Sequence, residues 1–150
     1  MTSMAKSEWS EDDWYAKAAR YCAAAEHCPQ EVRDKLRQWE YDGDTETLLR
    51  RLREDGYTDD RRYCRAYVHD KTAFQGWGKR KIQAMLLAKR LPEEEINAAL
   101  AETDEEDYRK TLLHLAEQKK GLGKEKLLRF LLQRGFAYQE ITESIPAEWL

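Results

Sequence analysis

Six pairs of aliphatic residues, each pair four positions apart, constrain the fold of this 150-residue chain more than any other feature. Val32/Leu36, Ile82/Leu86 and Leu127/Leu131 form one set; Leu48/Leu52, Ile96/Leu100 and Ile141/Ile145 form a second, downstream of the first. An i, i+4 step places both side chains on one face of a helix, so each pair marks a helix with a buried stripe. Tyr41, Leu91 and Phe136 each follow the second member of the first set by five residues. That position suits a side chain plugging the turn between two helices.

Upstream, Tyr15/Ala19, Tyr63/Tyr67 and Tyr108/Leu112 align as markers of a further helix. From the tyrosine to the first aliphatic marker is 17, 19 and 19 residues, and from there to the next marker 16, 14 and 14. Two small length changes in turns reconcile all three copies, and the second and third match throughout at an offset of 45. A period in this range is the signature of an array in which each unit buries its apolar face on its neighbours. The expected fold is therefore all-α: three tandem three-helix repeats forming an elongated, curved array. Residues 1–13 are a tail and helix start, and the repeats occupy 14–57, 58–102 and 103–150.

Local signals place the helix ends. Pro29 and Pro92 precede acidic residues and then apolar periodic stretches, as prolines do at helix starts. Ser10 with Asp13, and Thr103 with Glu106, have the spacing of capping boxes. Gly56 and Gly135 are placed as C-terminal caps. No hairpin signal lies between alternating β-branched runs, and Asp42-Gly43 reads as a break between helices.

Charge is unevenly distributed. With 26 Lys/Arg against 29 Asp/Glu the chain carries −3 overall, yet residues 50–90 hold twelve Lys/Arg against five Asp/Glu, a local balance of +7. The flanking segments 1–49 and 91–150 come to −5 each. A basic centre between acidic ends points to a polyanionic partner in the middle of the chain. No apolar run approaches the ~20 residues of a membrane span. The start MTSMAKSEWSEDD has no signal-peptide character, so a cytoplasmic location is expected.

Chemistry-bearing clusters are sparse. Cys22, Cys28 and Cys64 are odd in number and lack CxxC spacing, which suits free thiols in a reducing compartment. Together with His27 and His69 they lack the paired ligands of a structural zinc site, and no metal or cofactor is expected. Cys64 and His69, five apart on a helix, point to different faces, so no catalytic residue is expected. Trp77, between Gly76 and Gly78 and followed by Lys79-Arg80-Lys81, has two readings: a ring that stacks on a base or anchors a partner, or one that folds back on its own unit. Trp9, Trp14, Trp39 and Trp149 read as packing residues, with Trp149 capping the last repeat.

The stretch Asp55-Gly56-Tyr57-Thr58-Asp59-Asp60-Arg61-Arg62-Tyr63-Cys64-Arg65-Ala66-Tyr67-Val68 resembles the most recognisable segment of the RecX family, regulators of the bacterial recombinase RecA. Gly76-Trp77-Gly78-Lys79-Arg80-Lys81-Ile82, and Lys126 to Phe136 in the last unit, continue the resemblance, which spans about residues 14–145. It implies a small helical protein, without enzymatic activity, that lodges in the groove of the RecA filament on DNA. There it modulates, most often inhibits, ATPase, strand-exchange and coprotease activities. The contact residues expected are Arg50, Arg51, Arg53, Arg61, Arg62, Arg65, Trp77, Lys79, Arg80 and Lys81. The expected partners are the RecA filament and, through the basic middle repeat, single- or double-stranded DNA; a monomer without membrane contact is expected. Two other readings remain open at this point: a helical nucleic-acid-binding protein acting without RecA, and a helical scaffold for another protein.

Overall fold

A computed structural model describes residues 5–150. Among them are nine α-helices and no strand: α1 (Glu11–Ala24), α2 (Pro29–Gln38), α3 (Thr45–Glu54), α4 (Asp60–Ala73), α5 (Lys79–Ala88), α6 (Glu93–Ala101), α7 (Glu105–Lys119), α8 (Lys124–Gln133) and α9 (Tyr138–Ser144). The helices follow one another as three triplets. The chain clusters into two compact units, Met1–Tyr63 and Cys64–Leu150, with α4 running through the division.

In the first unit α1 starts as its sequence dictates. Ser10 Oγ accepts from the Asp13 N–H (3.2 Å), and the Asp13 carboxylate accepts from the Ser10 N–H (2.8 Å), a reciprocal capping box. Trp14, Ala18 and Cys22 then fall on one face at i, i+4 and i+8 and are buried with Val32, Leu36, Leu48 and Leu52. Trp14, Tyr63 and Tyr108 are each the fourth residue of their helices and are all buried. The register of the first copy therefore runs through Trp14, one residue before the expected Tyr15. Tyr15 is only partly buried and packs against the edge of this core: its hydroxyl donates to the Asp55 carboxylate and its ring lies 3.7 Å beneath the Arg51 guanidinium. The bulkier indole takes the buried site because it removes more apolar surface from water.

The second unit repeats the scheme. Tyr108, Leu112 and Ala116 of α7 pack with Leu127, Leu131, Phe136, Ile141 and Ile145, and Trp149 lies against this cluster as the closing residue of the last triplet. Ile82, Leu86 and Ile96 are fully buried, whereas Leu100 is only partly so. Truncating a fully buried leucine such as Leu86 or Leu131 to alanine is expected to cost about 2–5 kcal/mol.

The turn-plugging residues have a specific backbone role. The N–H groups of Tyr41, Leu91 and Phe136 donate to the carbonyls of Leu36, Leu86 and Leu131 at 2.9, 3.3 and 3.2 Å. Each bond closes a six-residue loop, the Schellman motif that satisfies a helix's last free carbonyls. It requires a left-handed residue just before the plug, and Glu40 (φ 62°), Arg90 (φ 63°) and Gly135 (φ 101°) take that role. Only the third copy fills it with glycine. Gly56 caps α3 in the same way, with φ 80° and a Tyr57 N–H to Leu52 carbonyl bond of 2.9 Å.

Two expected helix starts move by one residue. Pro29 is the first residue of α2, but Pro92 sits just outside α6 as its N-cap. The cap of α7 is Asp104, whose carboxylate accepts from the Asp107 N–H at 2.9 Å; Thr103 with Glu106 does not form the expected box. A charged carboxylate competes better than a hydroxyl for the positive end of a helix. The displaced Thr103 hydroxyl is buried without a hydrogen-bond partner among the described residues.

Candidate functional site

The basic run Lys79-Arg80-Lys81 forms the first turn of α5, where positive charge opposes the helix dipole. In the corresponding turns of α2 and α8 the chain places Glu31 and Glu125. What offsets the mismatch is the end of α8. The Gly78 N–H donates to the Arg134 carbonyl (2.7 Å) and the Arg80 N–H to the Gly135 carbonyl (3.0 Å). The start of α5 thus meets the negative end of another helix. Between these bonds, the Lys79 N–H donates to Tyr108 Oη (2.9 Å), which in turn donates to Glu140 (3.3 Å). Burial first, and then the Glu140 charge, push the Tyr108 phenol above its ordinary range, against the Lys79 N–H, so it stays protonated. The Gly78, Lys79 and Arg80 N–H groups of this helix start are thereby engaged.

The expected contact residues differ in what already holds them. Arg62 is a structural residue: its guanidinium donates to the carbonyls of Gly56 (3.2 Å) and Tyr57 (3.3 Å) and pairs with Glu26. Arg65 makes a two-pronged pair with Glu102, both bonds at 2.7 Å. Lys79 pairs with Glu105 (2.7 Å) and lies over the Tyr108 ring, and Arg51 pairs with Asp12 (3.0 Å). Arg61 is exposed on α4. Arg50, Arg53, Arg80 and Lys81 make no ion pair among the described residues. Arg50 acts only at longer range, on the carboxylates of Asp44 and Glu46.

Trp77 folds back on its own triplet. The ring is half-buried, with the Lys81 ammonium 4.2 Å from its centroid, the Lys71 ammonium 4.8 Å away, and Tyr67 edge-on at 6.5 Å. Lys71 and Lys89 also reach the Tyr67 ring, at 5.3 and 6.0 Å. The expected set omits Tyr67, Lys71 and Lys89. Tyr67 and Lys71 stand at i, i+4 on α4, the available sequence signal, but Lys89 is brought in only by the packing of α5.

A cleft of about 550 Å³ opens between α4 and the start of α7, with Val68, Ala99 and Tyr108 in its lining and the Arg65–Glu102 pair beside them. Among the described residues no three His, Cys, Asp or Glu side chains are grouped to hold a metal ion. His27 instead stacks on Tyr21 (3.8 Å between centroids) and contacts Glu31, while Cys22, Cys28 and Cys64 are all buried. Burial, reinforced by Glu26 and opposed by Arg62, pushes the Cys22 thiol up to about 11, far from a reactive thiolate. No described helix is long and apolar enough to cross a membrane.

Comparison with known proteins gives this arrangement a family. Residues 59–100 match the profile of the second three-helix domain of RecX, and residues 15–45 that of the first. The regulatory protein RecX of Thermus thermophilus is 36% identical over 121 residues, covering 81% of this chain and 82% of that protein. The regulatory protein RecX of Herminiimonas arsenicoxydans is 31% identical over 139 residues, covering 89% and 91%. A crystal structure of regulatory protein RecX superposes with a TM-score of 0.77 at 22% identity, over 94% of this chain and 81% of that one. RecX from Lactobacillus salivarius gives the same score and identity over 88% and 92%. The three-helix domains, the identity over most of both chains and the shared all-α fold agree, and the chain belongs to the RecX family of regulatory proteins.

Proposed function

We propose that this chain is a non-enzymatic regulator that binds the RecA filament on DNA and inhibits its ATPase, strand-exchange and coprotease activities. The observation that carries the reading is the basic start of α5, where Arg80 and Lys81 present charge that no described carboxylate neutralises. A filament on DNA offers acidic protein surface and phosphate together, and both attract such charge. The contact residues are accordingly Arg80 and Lys81 in one unit, and Arg50, Arg53 and the exposed Arg61 in the other. Arg62, Arg65, Arg51 and Lys79 serve the fold first. The protein acts in the cytoplasm as a monomer.

The test is RecA's DNA-dependent ATPase with increasing amounts of purified protein. Inhibition that weakens as salt is raised is the expected outcome. No inhibition at any excess would sink the proposal, and co-sedimentation with preformed RecA–DNA filaments, against DNA alone, separates filament contact from DNA contact.

A further inference from the structure

We propose that Tyr67 and Trp77, with Lys71, Lys81 and Lys89, form a self-covered stacking platform for single-stranded nucleic acid. Three ammonium groups gather on two aromatic rings, each within 6.0 Å of a ring centroid. The single carboxylate pairing with any of them is Asp70, 3.7 Å from Lys71; Lys81 and Lys89 pair with none among the described residues. Like charges this close repel one another, and an arriving anion relieves that repulsion.

Magnitudes decide what happens next. An exposed cation–π contact is worth about 0.5–1 kcal/mol. A base stacked on an aromatic side chain is worth about 1–3 kcal/mol, and a phosphate engages an ammonium at the same time. The exchange of lysine for base on the indole is therefore favourable. Long, flexible stems let Lys71 and Lys81 leave the ring for a phosphate while a base takes the uncovered face. An acidic peptide draws the lysines away but offers no π-face to replace them. A duplex keeps its bases stacked on each other. A single strand satisfies both halves of the site.

The proposal rests on the filament reading, which brings the protein to DNA, but its test omits RecA. Fluorescence anisotropy compares a thymidine oligonucleotide of about 12 nucleotides, within the usual range of single-strand site sizes, with an abasic strand of equal length. The two probes carry the same phosphates. Wild-type protein is expected to prefer the thymidine strand by about 5-fold or more, the ratio that 1 kcal/mol of stacking gives. Trp77→Ala is expected to remove the preference and Trp77→Phe to keep most of it. Lys81→Gln and Lys89→Gln are each expected to flatten the salt dependence by about 0.7 in logarithmic slope. Equal binding of the two strands by the wild type overturns the platform. So does a preference that survives in Trp77→Ala, or binding of polyglutamate as tight as that of the thymidine strand. Wild-type protein that shows no preference yet inhibits the ATPase would refute the platform alone; wild-type protein that shows the preference without inhibition would refute the filament reading alone.

Discussion

Gly78 and Gly135 meet backbone to backbone, so closely that a Cβ on Gly78 would lie 2.3 Å from the carbonyl carbon of Gly135. In the other direction, a Cβ on Gly135 would fall 2.4 Å from Lys81 Cβ. Gly78→Ala is expected to destabilise the protein by about 1–3 kcal/mol, the usual range for forcing atoms into a packed site. Gly135→Ala adds about 1–2 kcal/mol for the left-handed backbone. Thermal unfolding followed by circular dichroism checks both, and a Gly78→Ala variant melting with the wild type would show that the two helix ends do not meet.

The opposite change is expected at the two sister positions. Glu40 and Arg90 hold the left-handed conformation that Gly135 holds in the third triplet. Glu40→Gly and Arg90→Gly are each expected to raise stability by about 0.5–1 kcal/mol, because glycine enters this conformation without the Cβ penalty. The shift is read as a higher urea midpoint with an unchanged slope.

Charge reversals separate contact residues from structural ones. Arg80→Glu and Lys81→Glu are expected to weaken ATPase inhibition while changing stability by less than about 0.5 kcal/mol, as surface substitutions do. Arg62→Glu is expected to lower the melting temperature, since it strips two carbonyls and Glu26 of their donor. If Arg80→Glu inhibited like the wild type with its fold intact, the basic turn would have no part in the contact.

Glu31 gives the fold a pH dependence of definite sign. Burial pulls its carboxyl upward, but hydrogen bonds from Tyr63, from the Cys28 N–H and thiol and from His27 outweigh this and hold it below its ordinary 4.5. A folded-state value below the unfolded one means that the stabilisation is present above about 4.5 and is lost as pH falls through the folded value. Glu31→Gln is therefore expected to be less stable than the wild type at pH 7, with the gap narrowing as pH falls below about 4.5. A gap independent of pH would assign the effect to shape alone.

Much of the fold is legible from local pattern. The aliphatic pairs locate the helices, and the residue five positions beyond Leu36, Leu86 and Leu131 is where the Schellman bond forms, because that motif needs only local spacing. Where two neighbours compete for one place, tertiary context decides. Trp14 outbids Tyr15 for the core through its larger apolar surface, and Asp104 displaces Thr103 as cap through its charge. The site is less legible for a related reason. A sequence displays Arg62, Arg65 and Arg80 as equal cations, whereas Glu26 and Glu102, 36 and 37 residues distant, engage the first two. The apposition of Gly78 and Gly135 likewise depends on helices that no short motif joins.

The docking of α8 onto α5 assigns the third triplet a task at a distance. A chain ending after α6 would keep all twelve central Lys/Arg yet lose the acceptors that let three of them open a helix. Its α5 would fray at that end, and the ammonium and guanidinium groups would lose their fixed spacing. The third triplet, with eight Lys/Arg against nine Asp/Glu over residues 103–150, is thus the brace that holds the basic turn in place. Substitutions far along the chain, around Arg134 to Phe136, can then tune how the basic turn is presented without altering a single charge on it.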